Sequence, residues 1–269
     1  MEVIVREVDG TFLKYYFYPS NEKWLKQNPP AEYSFTKLTK LGNAIPCFVK
    51  RQAKSFSGWK LLHLAIAGEQ IRNVPRVISL AKDEDYYYYF TEKLEGVNLD
   101  DYLRQNHASR LNSSRLISDV FRALLSINSY QFWYSDLCKK NIFFLKSGAF
   151  NLIDLDSCIP SENLFFYNGK TSYEYPPLLK KFAQEVKNID LDISQIQGVC
   201  VNQAEIIALA VDARYSFKIP MDRKIDVLHR ILMERLEQHY NNLFIDLIDN
   251  NPDWVKARKL VDEIVNIMP

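Results

Sequence analysis

Two aspartates and one asparagine in the middle of the chain have the types and the spacing that metal-assisted chemistry requires. Asp136, Asn141 and Asp154 each stand beside an apolar run. A Lys-Ser-Gly turn signal separates residues 142–145 from residues 150–153, and these two runs are predicted to form a β-hairpin. The hairpin would bring Asn141 and Asp154 to neighbouring strand ends, with Asp136 on the loop just before them. Oxygen-bearing side chains that meet in this way suit a hard cation such as Mg²⁺ carried by a phosphorylated substrate.

The same stretch resembles the catalytic loop and the metal-binding segment of protein kinase-like phosphotransferases. It has the pattern D-L-x-x-x-N, then a hairpin, then an acid thirteen residues after the asparagine. The resemblance implies that Asp136 orients or deprotonates the acceptor hydroxyl, and that Asn141 and Asp154 bind the metal. The metal motif reads D-L-D, so Asp156, where the family usually has glycine, is a further candidate ligand.

Further candidates lie upstream, in the order in which the family has them. Lys50, in the segment C-F-V-K, resembles the strand lysine that holds the α- and β-phosphates of the nucleotide, with a solvated strand lysine as the alternative. Residues 91–103 resemble the family's hinge, in which the backbone of Glu92 and Leu94 would bind the adenine edge. Asn98 could reach the ribose, although it is equally suited to cap the helix that follows.

Two features depart from the family pattern. The chain contains no G-x-G-x-x-G, so residues 19–33 or residues 40–45 would have to cover the phosphates. In the family, a helix glutamate pairs with the strand lysine. The helix expected at 56–71 offers only Glu69 for Lys50, and Glu69 lies late in that helix.

Strand signals dominate about the first ninety residues, and helical periodicity dominates most of the rest. Hairpins are predicted around Asp9-Gly10 and around Gly42, and helices are predicted at 20–27, 56–71, 114–129, 202–214 and 222–248. Together with the resemblance, this pattern implies an α+β, bilobal protein kinase-like fold with a small β-rich N-lobe and a larger helical C-lobe. The expected N-lobe is 1–92, and the expected C-lobe is 93–269, with the catalytic loop at 134–141 and the metal motif at 154–156.

Composition and charge narrow the classes of function. The chain is 47% hydrophobic and 25% charged, as in ordinary globular proteins, and its net charge of +1 argues against nucleic acid or an anionic membrane as the main partner. No apolar run approaches the ~20 residues that a membrane span needs. The four cysteines show no C-x-x-C pairing and no signal peptide precedes them, so reduced thiols and a cytoplasmic location are expected.

The resemblance implies a phosphotransferase that depends on ATP and Mg²⁺, with Mn²⁺ as an alternative metal. An atypical serine/threonine kinase with a protein substrate or partner is the leading interpretation. Two alternatives stay open: a weak or inactive pseudokinase that binds nucleotide or acts as a scaffold, and a kinase-fold enzyme with a sugar or lipid acceptor. The presence of Lys50, Asp136, Asn141 and Asp154 favours an active enzyme, whereas the missing glycine-rich loop favours the pseudokinase.

Overall fold

A computed structural model describes residues 1–7, 9–26, 31–54, 69, 71–105, 111–161, 175–192, 196–214, 217 and 223–267 of the chain. The helix expected at 56–71 lies outside these residues, apart from its last few positions. The chain forms two compact units, Met1–Glu95 and Gly96–Pro269. Each unit has its own sheets and its own buried core.

The first unit is built on the antiparallel strands β1 (Glu2–Arg6), β2 (Phe12–Tyr16), β3 (Leu25–Lys26), β4 (Ala31–Lys40), β5 (Asn43–Ala53), β6 (Val77–Lys82) and β7 (Tyr86–Glu92). They are hydrogen-bonded in the order β1-β2-β4-β5-β7-β6, with β3 beside β4. The two ends of this order also meet, because β1 lies against β6 and the Ser79 hydroxyl donates to the Ile4 carbonyl. The sheet is therefore nearly closed, like a barrel, and closure protects edge strands from unwanted pairing.

Alternating apolar residues build this sheet. Val3 and Val5 are buried while the other residues of β1 are exposed, and the core of the unit consists of Val3, Val5, Tyr15, Phe17, Leu38, Cys47, Val49, Ile78, Tyr88 and Phe90. Gly10 and Gly42 turn the chain with φ of 86° and 81°, a backbone conformation that glycine adopts without steric cost. Both hairpins predicted around these glycines are confirmed.

The second unit contains, in chain order, β8 (Gly96–Asn98), α1 (Leu99–Gln105), α2 (Ser113–Ser129), β9 (Phe132–Tyr134), β10 (Ile142–Leu145), β11 (Phe150–Leu152), β12 (Cys158–Pro160), α3 (Tyr175–Lys187), α4 (Gly198–Arg214), α5 (Lys224–Ile248) and α6 (Trp254–Ile267). Its strands form two small antiparallel sheets, β11-β10-β8 and β12-β9. The predicted hairpin and the predicted helices of this region are confirmed, although α4 begins earlier than expected. None of the helices in the described residues is long and apolar enough to cross a bilayer.

Helix α4 is the buried centre of the second unit. All its residues from Gly198 to Ala213 are buried, and the helix packs against α2, α3, α5, α6 and β9. A helix that is buried on every side needs neighbours all round. At its start, Gly198 lies against the indole of Trp133, and a Cβ added there would be 2.0 Å from the ring atom Cδ2. This close approach requires glycine.

The helix predicted at residues 20–27 is wrong. A 3₁₀ turn at Pro19–Asn21 is followed by β3, which pairs with the start of β4. The indole N–H of Trp24 donates to the Pro19 carbonyl over 3.1 Å, and this bond fixes the turn. Leu25 and Lys26 then gain ladder partners in Tyr33 and Glu32. Tertiary pairing has overridden a weak local helix signal.

The fold class expected from the sequence, an α+β bilobal protein kinase-like fold with a larger helical C-lobe, is also wrong. The chain is organised as a mostly antiparallel protein: a nearly closed seven-stranded sheet, two further antiparallel sheets and a few helices. The closing contact joins Ile4 of β1 to Ser79 of β6, 75 positions apart, so no local sequence pattern predicts it. The strands β8, β9 and β12 have three residues each, which is too short for an alternating signal.

Gly198→Ala is expected to destabilise the protein, because the added methyl group would overlap the indole of Trp133. Overpacking of this kind costs about 1–3 kcal/mol, and thermal unfolding followed by circular dichroism measures it. In a Trp133→Leu background the same substitution should cost less, since the smaller side chain leaves room. Equal costs in the two backgrounds would contradict a Gly198–Trp133 contact.

Candidate functional site

Short strands bring the segments of the candidate site together. Strand β9 pairs with β12, so that Tyr134 lies opposite Cys158. Just beyond this pair, the Ser135 N–H donates to the Ser157 carbonyl over 3.0 Å, and the Ser135 hydroxyl donates to the same oxygen over 2.6 Å. The hairpin β10–β11 joins the two segments. The residues that follow β9 therefore lie beside the residues that follow β11.

Asp136 and Asn141 are joined directly. The Asn141 Nδ2 donates to the Asp136 Oδ2 over 2.8 Å and to the Asp136 backbone carbonyl over 3.0 Å. Because two acceptor oxygens face this atom of the amide, it must be the nitrogen. The amide oxygen is then the atom with which Asn141 would bind a cation. The Asn141 carbonyl accepts from the Ile153 N–H over 2.8 Å, which ties Asn141 to the residue before Asp154.

Asp154 is held in an unusual backbone conformation. Its φ of 63° and ψ of 52° lie in the left-handed region, which is uncommon for a residue other than glycine. The segment is fixed on both sides: the Tyr134 hydroxyl donates to the Ile153 carbonyl over 2.6 Å, and the Ser157 N–H donates to the Asp154 carbonyl over 3.1 Å. Strained residues that their surroundings hold in place cluster at functional sites. The backbone geometry thus makes Asp154 a functional candidate independently of the motif.

The buried side chains of Tyr134 and Cys158 respond to the negative charge of the site. Burial raises the pKa of the Tyr134 hydroxyl well above its ordinary value, and the carboxylates of Asp154 and Asp136 raise it further. Burial likewise raises the pKa of the Cys158 thiol, with smaller contributions from Asp156 and Asp154. The carboxylates of Asp136, Asp154 and Asp156 therefore act on one small buried region. Such a concentration of like charge favours the binding of a cation.

The hairpin is anchored to α2 by a buried carboxylate. Asp119 accepts a hydrogen bond from the Phe150 N–H over 3.0 Å. Its other contacts are with two arginines of the same helix, Arg115 at 3.6 Å and Arg122 at 3.8 Å. The hairpin that carries Asn141 and leads into Asp154 is thereby fixed to a helix.

The residues predicted to bind the nucleotide phosphates and the adenine belong to the first unit. Lys50 lies in β5, is 3% exposed, and stands opposite Tyr33 on one side and Tyr89 on the other. Glu92 ends β7, and its carboxylate accepts from the Arg76 N–H over 2.9 Å. The Glu92 N–H in turn donates to the Arg76 carbonyl over 2.9 Å. Leu94 follows, half-buried.

Asn98 and Glu69 have partners of other kinds. The Asn98 Oδ1 accepts from the Asp101 N–H over 2.8 Å, and its Nδ2 donates to the Asp101 carboxylate over 2.8 Å. The structure thus shows Asn98 capping the start of α1, while contact with a ribose stays a prediction. Glu69, the one glutamate that the helix expected at 56–71 offers to Lys50, forms an exposed ion pair with Arg6 at 2.8 Å.

Two buried polar residues of α4 support the site and were missed from the sequence. The Asn202 Oδ1 accepts from the Tyr134 N–H over 2.8 Å, while its Nδ2 donates to the Tyr134 carbonyl over 2.6 Å and to the Glu205 Oε2 over 2.8 Å. Burial raises the pKa of Glu205 to about 8; the Asn202 hydrogen bond lowers it and the charge of Asp136 raises it. The one available signal was the N-x-x-E spacing within an apolar run, a pattern that also fits a packed core helix.

The residues around Asp136 fit a metal that is shared with a substrate. Within the described part of the chain, no group of three or more His, Cys, Asp or Glu side chains is arranged to hold a metal ion by itself. Magnesium is usually bound through one or two carboxylates, with phosphate and water oxygens completing its shell. The Asp154 carboxylate and the Asn141 amide oxygen are ligands of this type, with Asp156 nearby. Their roles stay predictions.

Part of the chain is distantly similar to protein kinases. Over 91 residues it is 32% identical to the dual specificity protein kinase zakA of Dictyostelium discoideum. The matched stretch covers 32% of this chain and 12% of zakA. Over 139 residues it is 28% identical to the dual specificity protein kinase zak2 of the same organism. This stretch covers 46% of this chain and 20% of zak2. The chain thus spans a fifth or less of the length of the curated relatives it matches. No protein-family model matches it.

Asp119→Ala is expected to loosen the hairpin, because the Phe150 N–H loses its acceptor. A buried donor left without a partner costs about 1–3 kcal/mol. Hydrogen exchange at the Phe150 amide measures the local loss, and denaturant unfolding measures the total. Asp119→Asn keeps an acceptor oxygen and should retain most of the protection. Equal loss of protection in both variants would show that this hydrogen bond does not anchor the hairpin.

Proposed function

We propose that this chain is a phosphotransferase that depends on ATP and Mg²⁺, most suitably an atypical serine/threonine protein kinase. The observation that carries the proposal is the hydrogen bonding around Asn141, whose side chain holds Asp136 and whose carbonyl binds the residue before Asp154. A carboxylate that orients a hydroxyl is thereby held close to two oxygen ligands, as phosphoryl transfer requires. The distant similarity of part of the chain to protein kinases supports the same class of reaction.

The metal would be held by Asn141 through its amide oxygen and by Asp154 through its carboxylate, with Asp156 as a third ligand. When bound, Mg²⁺ would neutralise negative charge that develops on the transferred phosphoryl group. The raised pKa values of Tyr134 and Cys158 support a cation here, because they follow in part from the carboxylates that a cation would neutralise. Mn²⁺ accepts oxygen ligands of the same type and is the proposed substitute metal.

Asp136 would orient the acceptor hydroxyl and take its proton. The hydrogen bond from Asn141 to the Oδ2 fixes the rotation of the carboxylate, so that Oδ1 would be the atom that accepts the proton. General-base catalysis of this kind contributes typically about 10²–10⁴-fold to a rate. The segment before Asp136 is itself held by Asn202 and by Ser157, which limits the loss of orientation.

Lys50 would neutralise the α- and β-phosphates of ATP, and the backbone of Glu92 and Leu94 would bind the adenine edge. Because successive side chains of a strand point to opposite faces of the sheet, Lys50 lies on the face of β5 that carries Phe48 rather than on the core face of Cys47 and Val49. A lysine that a sheet keeps buried is positioned with little freedom. A positioned cation is what charge neutralisation requires.

Aromatic rings on the face of Lys50 support purine binding by the first unit. Tyr33 and Phe48 stack with ring centroids 5.4 Å apart, and Phe35 packs edge-on against Phe48 at 5.5 Å. Phe35 is 56% exposed, so its ring presents a surface to a ligand. Stacking on an exposed aromatic ring is a common, sequence-tolerant way to bind a base.

A protein is the proposed acceptor, because both relatives are named as protein kinases. A nucleotide-binding module without turnover is the second candidate. One observation favours it: Glu69, the one glutamate that the helix expected at 56–71 offers to Lys50, is engaged with Arg6. A sugar or lipid acceptor is the alternative within the same class of reaction, because the family resemblance associates an acid at the position of Asp156 with such acceptors.

The decisive experiment incubates the chain with Mg²⁺, a generic protein substrate and ATP labelled on its γ-phosphate. Label transfer is expected, and it should fall by roughly 100-fold or more in Asp136→Asn and in Asp154→Asn, given the usual size of general-base and metal contributions. The matched control is Asp262→Asn, which removes an exposed carboxylate paired with Arg258 and should keep the activity.

The other outcomes separate the candidates. No transfer, together with a melting temperature that rises with Mg²⁺ and ATP, would favour the nucleotide-binding module. Transfer that survives in both aspartate variants would refute the roles of Asp136 and Asp154. Neither transfer nor a thermal shift would refute the proposed function altogether.

Lys50→Met is expected to weaken the binding of Mg²⁺-ATP. Loss of a charged hydrogen bond costs about 1.5–3 kcal/mol, which corresponds to an increase in Kd of roughly 10- to 150-fold. Isothermal titration calorimetry measures the change. Lys14→Met, at an exposed position of β2 that pairs with Glu2, is the matched control and should bind as the native chain does. An unchanged Kd in Lys50→Met would assign Lys50 a structural role.

A further inference from the structure

We propose that Glu205 is a positioning residue for Asp136 and that it acts only in its neutral form. Because Asp136 is the group that it would serve, this role rests on the proposed phosphotransferase function. Glu205 lies in the buried helix α4, outside the segment that carries the motif. Its influence would pass through Asn202 and the backbone of Tyr134.

Asn202 links Glu205 to the segment that holds Asp136. The side-chain amide of Asn202 matches both peptide groups of Tyr134, since it accepts from the N–H over 2.8 Å and donates to the carbonyl over 2.6 Å. Its second amide hydrogen goes to the Glu205 Oε2 over 2.8 Å. An amide that uses its oxygen and both hydrogens in this way has one orientation. Glu205 therefore helps to fix the residue two positions before Asp136.

Glu205 also acts on Asp136 through charge. Its side chain is 1% exposed, and burial disfavours the ionised form, which raises its pKa to about 8. The Asn202 hydrogen bond lowers this pKa, and the negative charge of Asp136 raises it, so the two carboxyl groups interact. Neutral Glu205 adds no negative charge near Asp136. Ionised Glu205 would place a second negative charge beside it.

Ionisation of Glu205 would also open the contact between β9 and α4. A buried carboxylate is costly unless water or a cation reaches it, so the packing around it must loosen as the group ionises. Since the folded pKa of about 8 lies above the ordinary 4.5, protonation stabilises the fold. That contribution is complete below pH 4.5 and is lost as the pH rises through about 8.

Four charged or titratable groups in the described parts of the elements around α4 have partners other than Glu205. Asp119 of α2 binds the Phe150 N–H, Glu185 of α3 pairs with His229 of α5, and Asp253 caps α6 through the Val255 and Lys256 N–H groups. Asp136 is the charged group that raises the Glu205 pKa in addition to burial. Asp212 and Cys200 are also buried in α4, but Glu205 is the group of this helix whose hydrogen bond reaches Asn202 and, through it, Tyr134.

The test compares kcat across pH in the native chain, in Glu205→Gln and in Glu205→Leu. Native kcat should fall about tenfold between pH 7 and pH 9, because a group with a pKa of about 8 goes from about 10% to about 90% ionised. Glu205→Gln keeps the acceptor oxygen without the charge and should remove this fall. Glu205→Leu lacks the acceptor and should lower kcat at every pH. The exposed Glu234→Gln is the matched control and should keep the native profile.

A second readout, hydrogen exchange at the Tyr134 amide, needs no activity and no variant. After correction for the intrinsic pH dependence of exchange, protection of this amide should fall in the native chain as the pH rises through about 8, because the bond to Asn202 loosens. In Glu205→Gln the protection should stay constant. This readout also serves if the variants fail to fold.

The outcomes distinguish this role from the proposed function. Transfer with the same alkaline fall in Glu205→Gln would overturn the role of Glu205 and leave the phosphotransferase in place. If no transfer occurs at any pH, the proposed function fails, and exchange at Tyr134 decides alone. Protection lost through about pH 8 would then support the positioning of the Asp136 segment by neutral Glu205, and constant protection in the native chain would overturn it.

Discussion

The pair of hydrogen bonds between the Asn202 side chain and the Tyr134 backbone is the constraint on which the second unit depends. Strand β9 pairs with β12 along one edge, and its other edge faces the buried helix α4. The backbone groups of a helix bond to one another, so they cannot satisfy a neighbouring strand. A side-chain amide can, because it carries the same donor and acceptor as a peptide group. Asn202 thus lets a strand lie directly on a buried helix.

The hydrogen bonds to Asn202 also help to fix the charged residues of the site. The Tyr134 hydroxyl donates to the Ile153 carbonyl, next to Asp154, so the residue held by Asn202 also holds the Asp154 segment. Ser135 is bound to Ser157, so the segment before Asp136 is held on two sides. Charge interactions are stronger in such buried surroundings than in water. Carboxylates that are weak ligands on a surface therefore gain more from a cation at this position.

The sequence predicted what depends on neighbours along the chain. The hairpins around Gly10 and Gly42, the hairpin β10–β11 and helix α2 follow from turn residues and periodicity, and all are present. What it could not predict depends on contacts between distant residues. The closure of the first sheet through Ser79 and Ile4 joins residues 75 positions apart. Likewise, Asn202 and Glu205 interrupt an apolar pattern, and the sequence gives no reason for them. The structure supplies the reason, because Asn202 bonds to both Tyr134 and Glu205.

One explanation accounts for two outcomes: the fold class predicted from the sequence is wrong, yet the structure brings Asp136 and Asn141 together beside the Asp154 segment. Asn141 contacts Asp136 across five positions and Ile153 through one hairpin, so this arrangement needs only a local segment with firm support. A reaction depends on such a site rather than on the scaffold that carries it, and different folds can support one chemistry. Packing also acts on the acid in α4: Glu205 is buried, and burial raises its pKa to about 8, whereas Asp136 is half-buried. Sequence spacing can propose Asp136 as the base, but the packed structure is needed to identify Glu205 as the buried acid that supports it.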